Sequence, residues 1–219
     1  MPLLPAKSDW PYSFSTKLNP TNRVTSQEGF CTMNNITVMY HRDGKGVLHF
    51  REAMYDAESK EFMINQGPVG YMGTSSVVAD IDEAAADKKF AAFAAKSAEL
   101  GYTELAPEEQ HWVVAQYALK SAEGTERDRY LEYKASTALG SYFSWRGLGS
   151  VEESEFVPGK LNIFCLVPDV PKAVKGMLVV LRDANLDFTK LSIGSSPFTE
   201  PGKWKRRHPL PAKKPFVLD

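Results

Sequence analysis

The side chains that most often act as nucleophiles are few in this 219-residue chain, and they are poorly placed for catalysis. Cys31 and Cys165 stand far apart, and Cys165 lies inside an apolar run, where a small buried thiol is common. No serine sits in a Gly-x-Ser-x-Gly elbow. The scattered carboxylates leave an acid–base site open as an alternative, but no pair of them is singled out. We therefore expect no enzymatic activity and no catalytic residue.

The histidines are equally poorly placed for metal binding. They occur singly, without His-Glu-x-x-His or Cys-x-x-Cys spacing, as His41, His49, His111 and His208. His41 and His49 flank a turn and can meet across it, which would supply only two ligands. We expect neither a metal nor another cofactor.

The nearest approach to an anion-binding loop is Gly147-Leu148-Gly149. It lacks the Gly-Lys-Ser/Thr ending of a phosphate loop and the third glycine of a dinucleotide fingerprint, so a tight turn explains it better. The preceding Arg146 can bind an anion or stack on an aromatic ring. A different role is favoured for Trp145, whose large ring can anchor a core between two units of the chain.

Two charged segments are candidates for binding a macromolecule. The acidic one contains Glu152, Glu153 and Glu155, and with Arg146 it is predicted as a loop that covers a basic partner protein. A solvated surface is the simpler interpretation of such a short charge run.

The second charged segment is basic and lies near the C-terminal end of the sequence. Cations alternating with an aromatic ring are typical of phosphate contact combined with base stacking. The net charge of −1 and the pI of about 6.4 give no general attraction to a polyanion. The members of this segment are Lys203, Trp204, Lys205, Arg206 and Arg207, with Lys213 and Lys214 after them.

The elements that would position these groups begin near residue 34. The β-branched and apolar residues 36–40, the turn chemistry at 43–46 and residues 47–55 predict a hairpin, and residues 61–65 predict a third strand. Glycines then allow a bend before residues 75–79, and an antiparallel sheet of three or four strands fits best. An Ala-rich helix over about 82–100, ended by Gly101, should cover one face of this antiparallel sheet.

The glycine-rich turn and the end of this helix resemble the WGR domain family. The turn keeps Gly67 and the Val-Gly-x-x-Gly tail of the family motif, while Lys96-x-x-x-x-Gly101-Tyr102 is similar to the family's helix ending. The resemblance implies a WGR-like α+β binding module over about residues 33–105. Gln66 and Pro68 stand where DNA-binding members carry the Trp and Arg that supply much of their nucleic-acid contact. The motif loop comprises Gln66, Gly67, Pro68, Gly70 and Gly73.

The remaining segments complete a four-part organisation of class α+β. Residues 1–32 are predicted as an irregular N-terminal arm, and residues 106–140 as a helical connector with one helix opened by Pro107 and another over 126–139. Residues 141–219 are predicted as a separate C-terminal α/β unit with a basic tail. Its β-α-β pattern comprises a strand at 161–167, a helix capped by Asp169 and a strand at 188–193, with further strands from 141–151 and 215–218.

These features favour a non-catalytic cytoplasmic protein-binding protein, for example a cognate inhibitor such as a toxin-immunity protein. The alternative is a WGR-type nucleic-acid-binding regulator that uses the basic segment. No apolar run approaches the roughly 20 residues that span a bilayer, and the first residues lack the pattern of a signal peptide. We therefore expect a cytoplasmic location without membrane association.

Overall fold

Two antiparallel sheets and three α-helices form the α+β architecture of the protein in a computed structural model that describes residues 36–186 and 188–219. The predicted fold class is confirmed. The predicted N-terminal arm, residues 1–32, lies outside the described residues.

The first sheet has four strands in chain order: β1 (Ile36–Arg42), β2 (Leu48–Asp56), β3 (Glu61–Pro68) and β4 (Thr74–Val78). The turn between β1 and β2 closes because the Asp43 carboxylate accepts hydrogen bonds from the backbone N–H groups of Lys45 and Val47, both at 2.9 Å. This register places His41 directly opposite His49, as the spacing predicts. The predicted hairpin and antiparallel sheet are confirmed, and the sheet has four strands.

Helix α1 (Glu83–Glu99) covers one face of this sheet. Asp82 caps its N-terminus by accepting a hydrogen bond from the N–H of Ala85 at 2.7 Å, and Gly101 adopts a φ of +79° just beyond its end. The predicted end of this helix at Gly101 is confirmed. The helix and sheet enclose a small core of Ala53, Tyr55, Phe62, Ile81, Ala86 and Phe93.

The second sheet has five strands: β5 (His111–Ala118), β6 (Ser150–Val157), β7 (Lys160–Val167), β8 (Leu191–Pro197) and β9 (Lys205–His208). Their spatial order is β6-β7-β5-β8-β9, with every neighbouring pair antiparallel. Helices α2 (Glu126–Ser144) and α3 (Val170–Asp183) connect β5 to β6 and β7 to β8. The order β5-α2-β6-β7-α3-β8 is the split β-α-β topology of ferredoxin-like folds, with β9 added at one edge.

The predicted helical connector over 106–140 is wrong at its first element. Pro107–Glu109 form only a short 3-10 helix, and residues His111–Ala118 form the central strand of the second sheet. Because both faces of this strand are covered, its sequence shows no alternation of polar and apolar residues. The spacing of Trp112 and Tyr117 therefore resembles the apolar face of a helix. The segment therefore supplies the centre of the sheet instead of linking two units.

Three predicted boundaries in the last third also differ from the structure. Helix α2 continues through Gly140 to Ser144, so a strand over 141–151 is wrong and β6 begins at Ser150. Phe188–Lys190 form a short 3-10 helix before β8. Residues 215–218 form no strand; they cross the second sheet as an irregular segment. The strand at 161–167 and the helix capped by Asp169 are confirmed.

One hydrophobic core joins the two sheets, so the C-terminal segment is not packed as a separate unit. Phe50 and Val69 from the first sheet belong to the same buried cluster as Phe143 and Leu148, and all four are at most 1% exposed. Phe50 lies against Gly147, where an added Cβ would be 2.2 Å from the phenyl ring. The predicted turn at Gly147 thus makes room for the Phe50 ring.

Candidate functional site

The motif loop docks on the end of helix α2, although Gln66, Gly67 and Pro68 form the end of β3 and not part of the predicted turn. The N–H of Gly70 donates to the carbonyl of Arg146 at 2.8 Å, and the N–H of Gly73 donates to the carbonyl of Trp145 at 2.9 Å. These carbonyls lie just past the helix end, where backbone acceptors lack intrahelical donors. The loop therefore supplies hydrogen-bond donors to the carbonyl groups at the end of α2 and holds the first sheet against the second.

Glycine is required in this loop by conformation and by space. Gly70 has a φ of +89°, which side chains with a Cβ rarely adopt. A Cβ on Gly73 would lie 2.0 Å from Oδ1 of Asn65, and one on Gly67 would lie 3.3 Å from the Cα of Gly73. Gly67 and Gly73 thus allow close packing within the motif loop and against Phe50, while Gly70 lies against Lys172 of α3.

The side chains of the motif loop differ sharply in their surroundings. Gln66 is exposed and accepts a hydrogen bond from Nε of Arg51 at 3.1 Å, and Pro68 ends β3 half-buried. Tyr71 and Met72 point outward, with 65% and 61% of their surface exposed. The loop therefore offers two large apolar side chains, rather than a Trp and an Arg, to the solvent.

A buried carboxylate lies next to the contact between the motif loop and the end of α2. Glu52 on β2 is 6% exposed and accepts a hydrogen bond from the Ser144 hydroxyl, with both carboxylate oxygens at 3.2 Å. Its cross-strand neighbour Asn65 donates from Nδ2 to the carbonyl of Ser144 at 3.4 Å. Burial raises the pKa of Glu52 to about 6, and the hydrogen bonds from Ser144 and Asn65 oppose that rise.

Arg146 is engaged inside the protein rather than held ready for an anion. Its guanidinium carbon lies 3.7 Å from the centroid of the Tyr142 ring, and Nη1 donates to the Tyr142 carbonyl at 3.4 Å. Of the two roles that the sequence leaves open for Arg146, the structure shows ring stacking. Trp145 is half-buried beside it.

The three glutamates lie on β6 and not in a loop, which corrects the predicted local structure. This strand is an edge of the second sheet, and a β-bulge shifts its register between Val151 and Glu153. Glu152 and Glu155 are exposed, and Glu153 is half-buried. Glu155 accepts a hydrogen bond from Nδ2 of Asn162 at 3.0 Å. The strand was missed because an exposed edge carries polar residues in place of the alternation that marks a strand.

The charges of these glutamates are not neutralised by neighbours. Within residues 36–186 and 188–219, none of the three carboxylates forms an ion pair. Partial burial, followed by the charges of Glu155 and Glu152, raises the pKa of Glu153. Strand β6 therefore presents uncompensated negative charge along a sheet edge.

The basic segment lies at the opposite edge of the same sheet, where Lys205–His208 form β9. Much of its charge is used internally. Lys203 pairs with Glu200, and Nε of Arg207 donates to the Ser195 hydroxyl at 2.7 Å. Lys205 is exposed. The acidic and basic candidates thus do not form one site.

Arg206 and Trp204 hold a C-terminal strap formed by residues 214–219. Arg206 donates hydrogen bonds to the carbonyls of Lys214 and Pro215, both at 2.9 Å. Its guanidinium carbon lies 5.6 Å from the centroid of the Phe216 ring, and the Trp204 ring lies 5.7 Å from the same ring. Phe216 is 3% exposed. These two residues of the predicted nucleic-acid site therefore have a structural role.

Two buried amides anchor the strap on the middle of the sheet, and the sequence analysis did not single them out. Nε2 of Gln116 on β5 donates to the carbonyl of Val217 at 2.9 Å, and Nδ2 of Asn162 on β7 donates to that of Leu218 at 3.2 Å. Gln116 and Asn162 also bond to each other at 2.9 Å. Gln116 and Asn162 could have been identified from the sequence, because each is a polar amide inside an otherwise apolar strand and a buried amide needs hydrogen-bond partners.

The described groups that the sequence suggested for catalysis or metal binding are buried or make contacts within the protein. Cys165 is fully buried, and burial raises the pKa of its thiol, which disfavours the reactive thiolate. Nδ1 of His41 bonds to the carbonyl of Gly101 at 3.0 Å, and Nε2 of His49 lies 3.2 Å from the Asp43 carboxylate. Among the described residues, no group of three or more His, Cys, Asp or Glu side chains is arranged to hold a metal ion.

In the described part of the chain, no helix combines the length and apolar character needed to cross a membrane. Comparison of the chain with models of known protein families, with curated proteins and with solved structures finds no match.

Proposed function

We propose that the chain is a non-catalytic, cytoplasmic protein-binding protein whose acidic edge strand β6 docks a basic segment of a partner. The observation that supports this most is the uncompensated charge of Glu152, Glu153 and Glu155 on that edge. A cognate inhibitor, such as an immunity protein that covers a basic toxin, is the specific form of this proposal. A WGR-like origin of the first sheet and α1 is part of the same proposal.

An acidic sheet edge supplies two kinds of interaction at once. Its outward backbone N–H and C=O groups can pair with an extended segment, and its carboxylates attract a basic one. The exposed Glu152 and Glu155 give orientation and fast association. The half-buried Glu153, whose pKa is raised by partial burial and by its acidic neighbours, gains from a nearby cation that favours its charged form.

Edge protection is the competing explanation of the same residues. Charged side chains and bulges on an edge strand prevent sheets from pairing edge to edge, and β6 has both. The two explanations predict different behaviour when the charge is removed. Protection alone predicts self-association of the variant, while docking predicts loss of a partner.

The test is capture of partners from the native cell with nuclease present, using the tagged wild-type chain and the triple variant Glu152→Gln, Glu153→Gln, Glu155→Gln. Glutamine keeps the acceptor that Glu155 offers to Asn162. A matched control removes three exposed charges elsewhere, by Glu104→Gln, Glu108→Gln and Glu123→Gln. A stoichiometric protein captured by wild type and control but not by the triple variant supports docking; equal capture by all three contradicts it.

A nucleic-acid-binding regulator is the second candidate, favoured by the exposed Lys205, Lys213 and Lys214 around Trp204. The internal contacts of Arg206 and Arg207 count against it. Each phosphate contact contributes about 0.9 to the slope of log affinity against log salt concentration. Replacing the three lysines by glutamine should therefore lower that slope by about 2 to 3 on duplex DNA. An unchanged slope would remove this segment from consideration.

A further inference from the structure

Arg51 is a buried cation held in place by neutral groups. It lies on β2 and is 9% exposed. Its guanidinium carbon lies 5.2 Å from the centroid of the Phe93 ring on α1 and 5.8 Å from that of Tyr102. Gln66 accepts its Nε–H. These contacts orient the guanidinium group without neutralising it.

The hydrogen-bonding capacity of Arg51 is incompletely used. Nη1 is buried and has no hydrogen-bond partner. In the described part of the chain, no carboxylate lies within ion-pair distance of this side chain. A buried charge is costly unless it is paired and hydrogen-bonded. An anion that reaches this guanidinium group would therefore be bound with a favourable electrostatic contribution.

Arg51 lines a groove of about 250 Å³ between α1 and the edge strand β4. We call it the Arg51 groove. Its walls are mainly apolar, and none of its lining residues is acidic. Two lysines of α1 add positive charge, although Lys96 also pairs with Glu99 at 3.0 Å. Besides Arg51, the lining residues include Phe62, Ile64, Val78, Lys89, Phe93 and Lys96.

We propose that the Arg51 groove binds a carboxylate carried on an apolar body, independently of the acidic edge strand. The planar guanidinium group of Arg51 matches the two oxygens of a carboxylate, and Phe62 and Phe93 cover the apolar part. Arg51 is the only buried cation among the lining residues, so a monoanion fits better than a phosphate dianion, which the apolar walls would desolvate. The source of the group is either a small organic acid or the C-terminus of a peptide with an apolar last residue.

The test is titration of the full chain with four probes while the chemical shifts of the Arg51 Nε–H and of the α1 amides are followed. The probes are phenylpropionate, its uncharged amide, the peptide Gly-Gly-Phe and its C-terminal amide. Each acid should bind at least about tenfold more tightly than its amide, because only the acid forms a charged hydrogen bond with Arg51. The tighter of the two acids identifies the source. Equal affinity of each acid and its amide, or no saturation by either acid, overturns the proposal.

Two variants locate the binding. Arg51→Gln should abolish the preference for acids over amides, and Lys89→Gln should weaken acid binding by a few fold, as expected for a partly exposed cation. Lys45→Gln, on the exposed turn between β1 and β2, is the matched control and should change nothing. If Arg51→Gln fails to fold, Ala92→Trp fills the groove from an exposed position of α1. Undiminished acid binding by that variant overturns the proposal.

Discussion

The backbone N–H of Gly70 donates a hydrogen bond to the carbonyl of Arg146 at 2.8 Å, which connects the glycine motif of the first sheet to the end of helix α2. Both residues stand out in the sequence, one through motif spacing and one through its charge. The structure unites them through the main chain, while the Arg146 side chain stacks on Tyr142. The motif loop is therefore part of the joint between the sheets.

Crowding this joint should destabilise the whole fold. A Cβ at Gly73 would lie 2.0 Å from Asn65 Oδ1 and 2.9 Å from Cζ of Phe50, so Gly73→Ala is expected to lower the free energy of unfolding by about 1 to 3 kcal/mol. Gly44→Ala is the matched control, because no atom lies within 4 Å of its added Cβ. Denaturant unfolding measures both. Equal stability of the two variants would show that the loop accommodates the added methyl group without loss of unfolding free energy.

Burial of Glu52 should make stability fall as the pH rises. Its pKa is raised from 4.5 to about 6 in the folded protein, so the folded state holds this proton more tightly than the unfolded chain does. The associated stability is present below about pH 4.5 and is lost as the pH passes about 6. The loss corresponds to about 2 kcal/mol.

The measurement is the difference in unfolding free energy between Glu52→Gln and the wild type across this pH range. Since glutamine cannot ionise but can still accept from Ser144, this difference should move in favour of the variant by about 2 kcal/mol between about pH 4 and pH 7. The exposed Glu58→Gln serves as the control. A flat difference for Glu52→Gln would mean that the site is hydrated or rearranges on ionisation.

The C-terminal strap should contribute strongly to stability. Phe216 is 3% exposed and packs over Gly194, where an added Cβ would lie 2.3 Å from the ring. Phe216→Ala is expected to cost about 3 to 5 kcal/mol, as for other buried phenylalanines. Val217→Ala, at a side chain 48% exposed, should cost far less. Thermal unfolding of the two variants checks this prediction, and similar losses would argue against a packed strap.

Helix boundaries could be predicted because their signals are local. Asp82, Thr125 and Asp169 each accept a hydrogen bond from a backbone N–H in the first turn of the helix that follows. The prediction failed at β5 because a strand covered on both faces has no alternation, and at Gly140 because a glycine inside a helix is tolerated when other interactions hold the helix.

The candidate site could be predicted only in part. Glu152, Glu153 and Glu155 were identified by charge, but their strand conformation depends on pairing with β7, which lies later in the sequence. The anchoring of the strap depends on contacts between Gln116 and residues about a hundred positions away, which no local pattern records. Contacts between residues distant in the sequence determine whether a basic residue is free to bind a partner or is used within the fold.

The most direct test of the central claim is the dissociation constant of the captured protein partner, measured by titration calorimetry against the wild type, the Glu152, Glu153 and Glu155 triple glutamine variant, and the control triple. Docking on β6 predicts about tenfold to a hundredfold weaker binding by the variant, with the control unchanged. Analytical ultracentrifugation of the same samples excludes self-association as the cause. Equal affinity of all three proteins for the partner would contradict docking on β6.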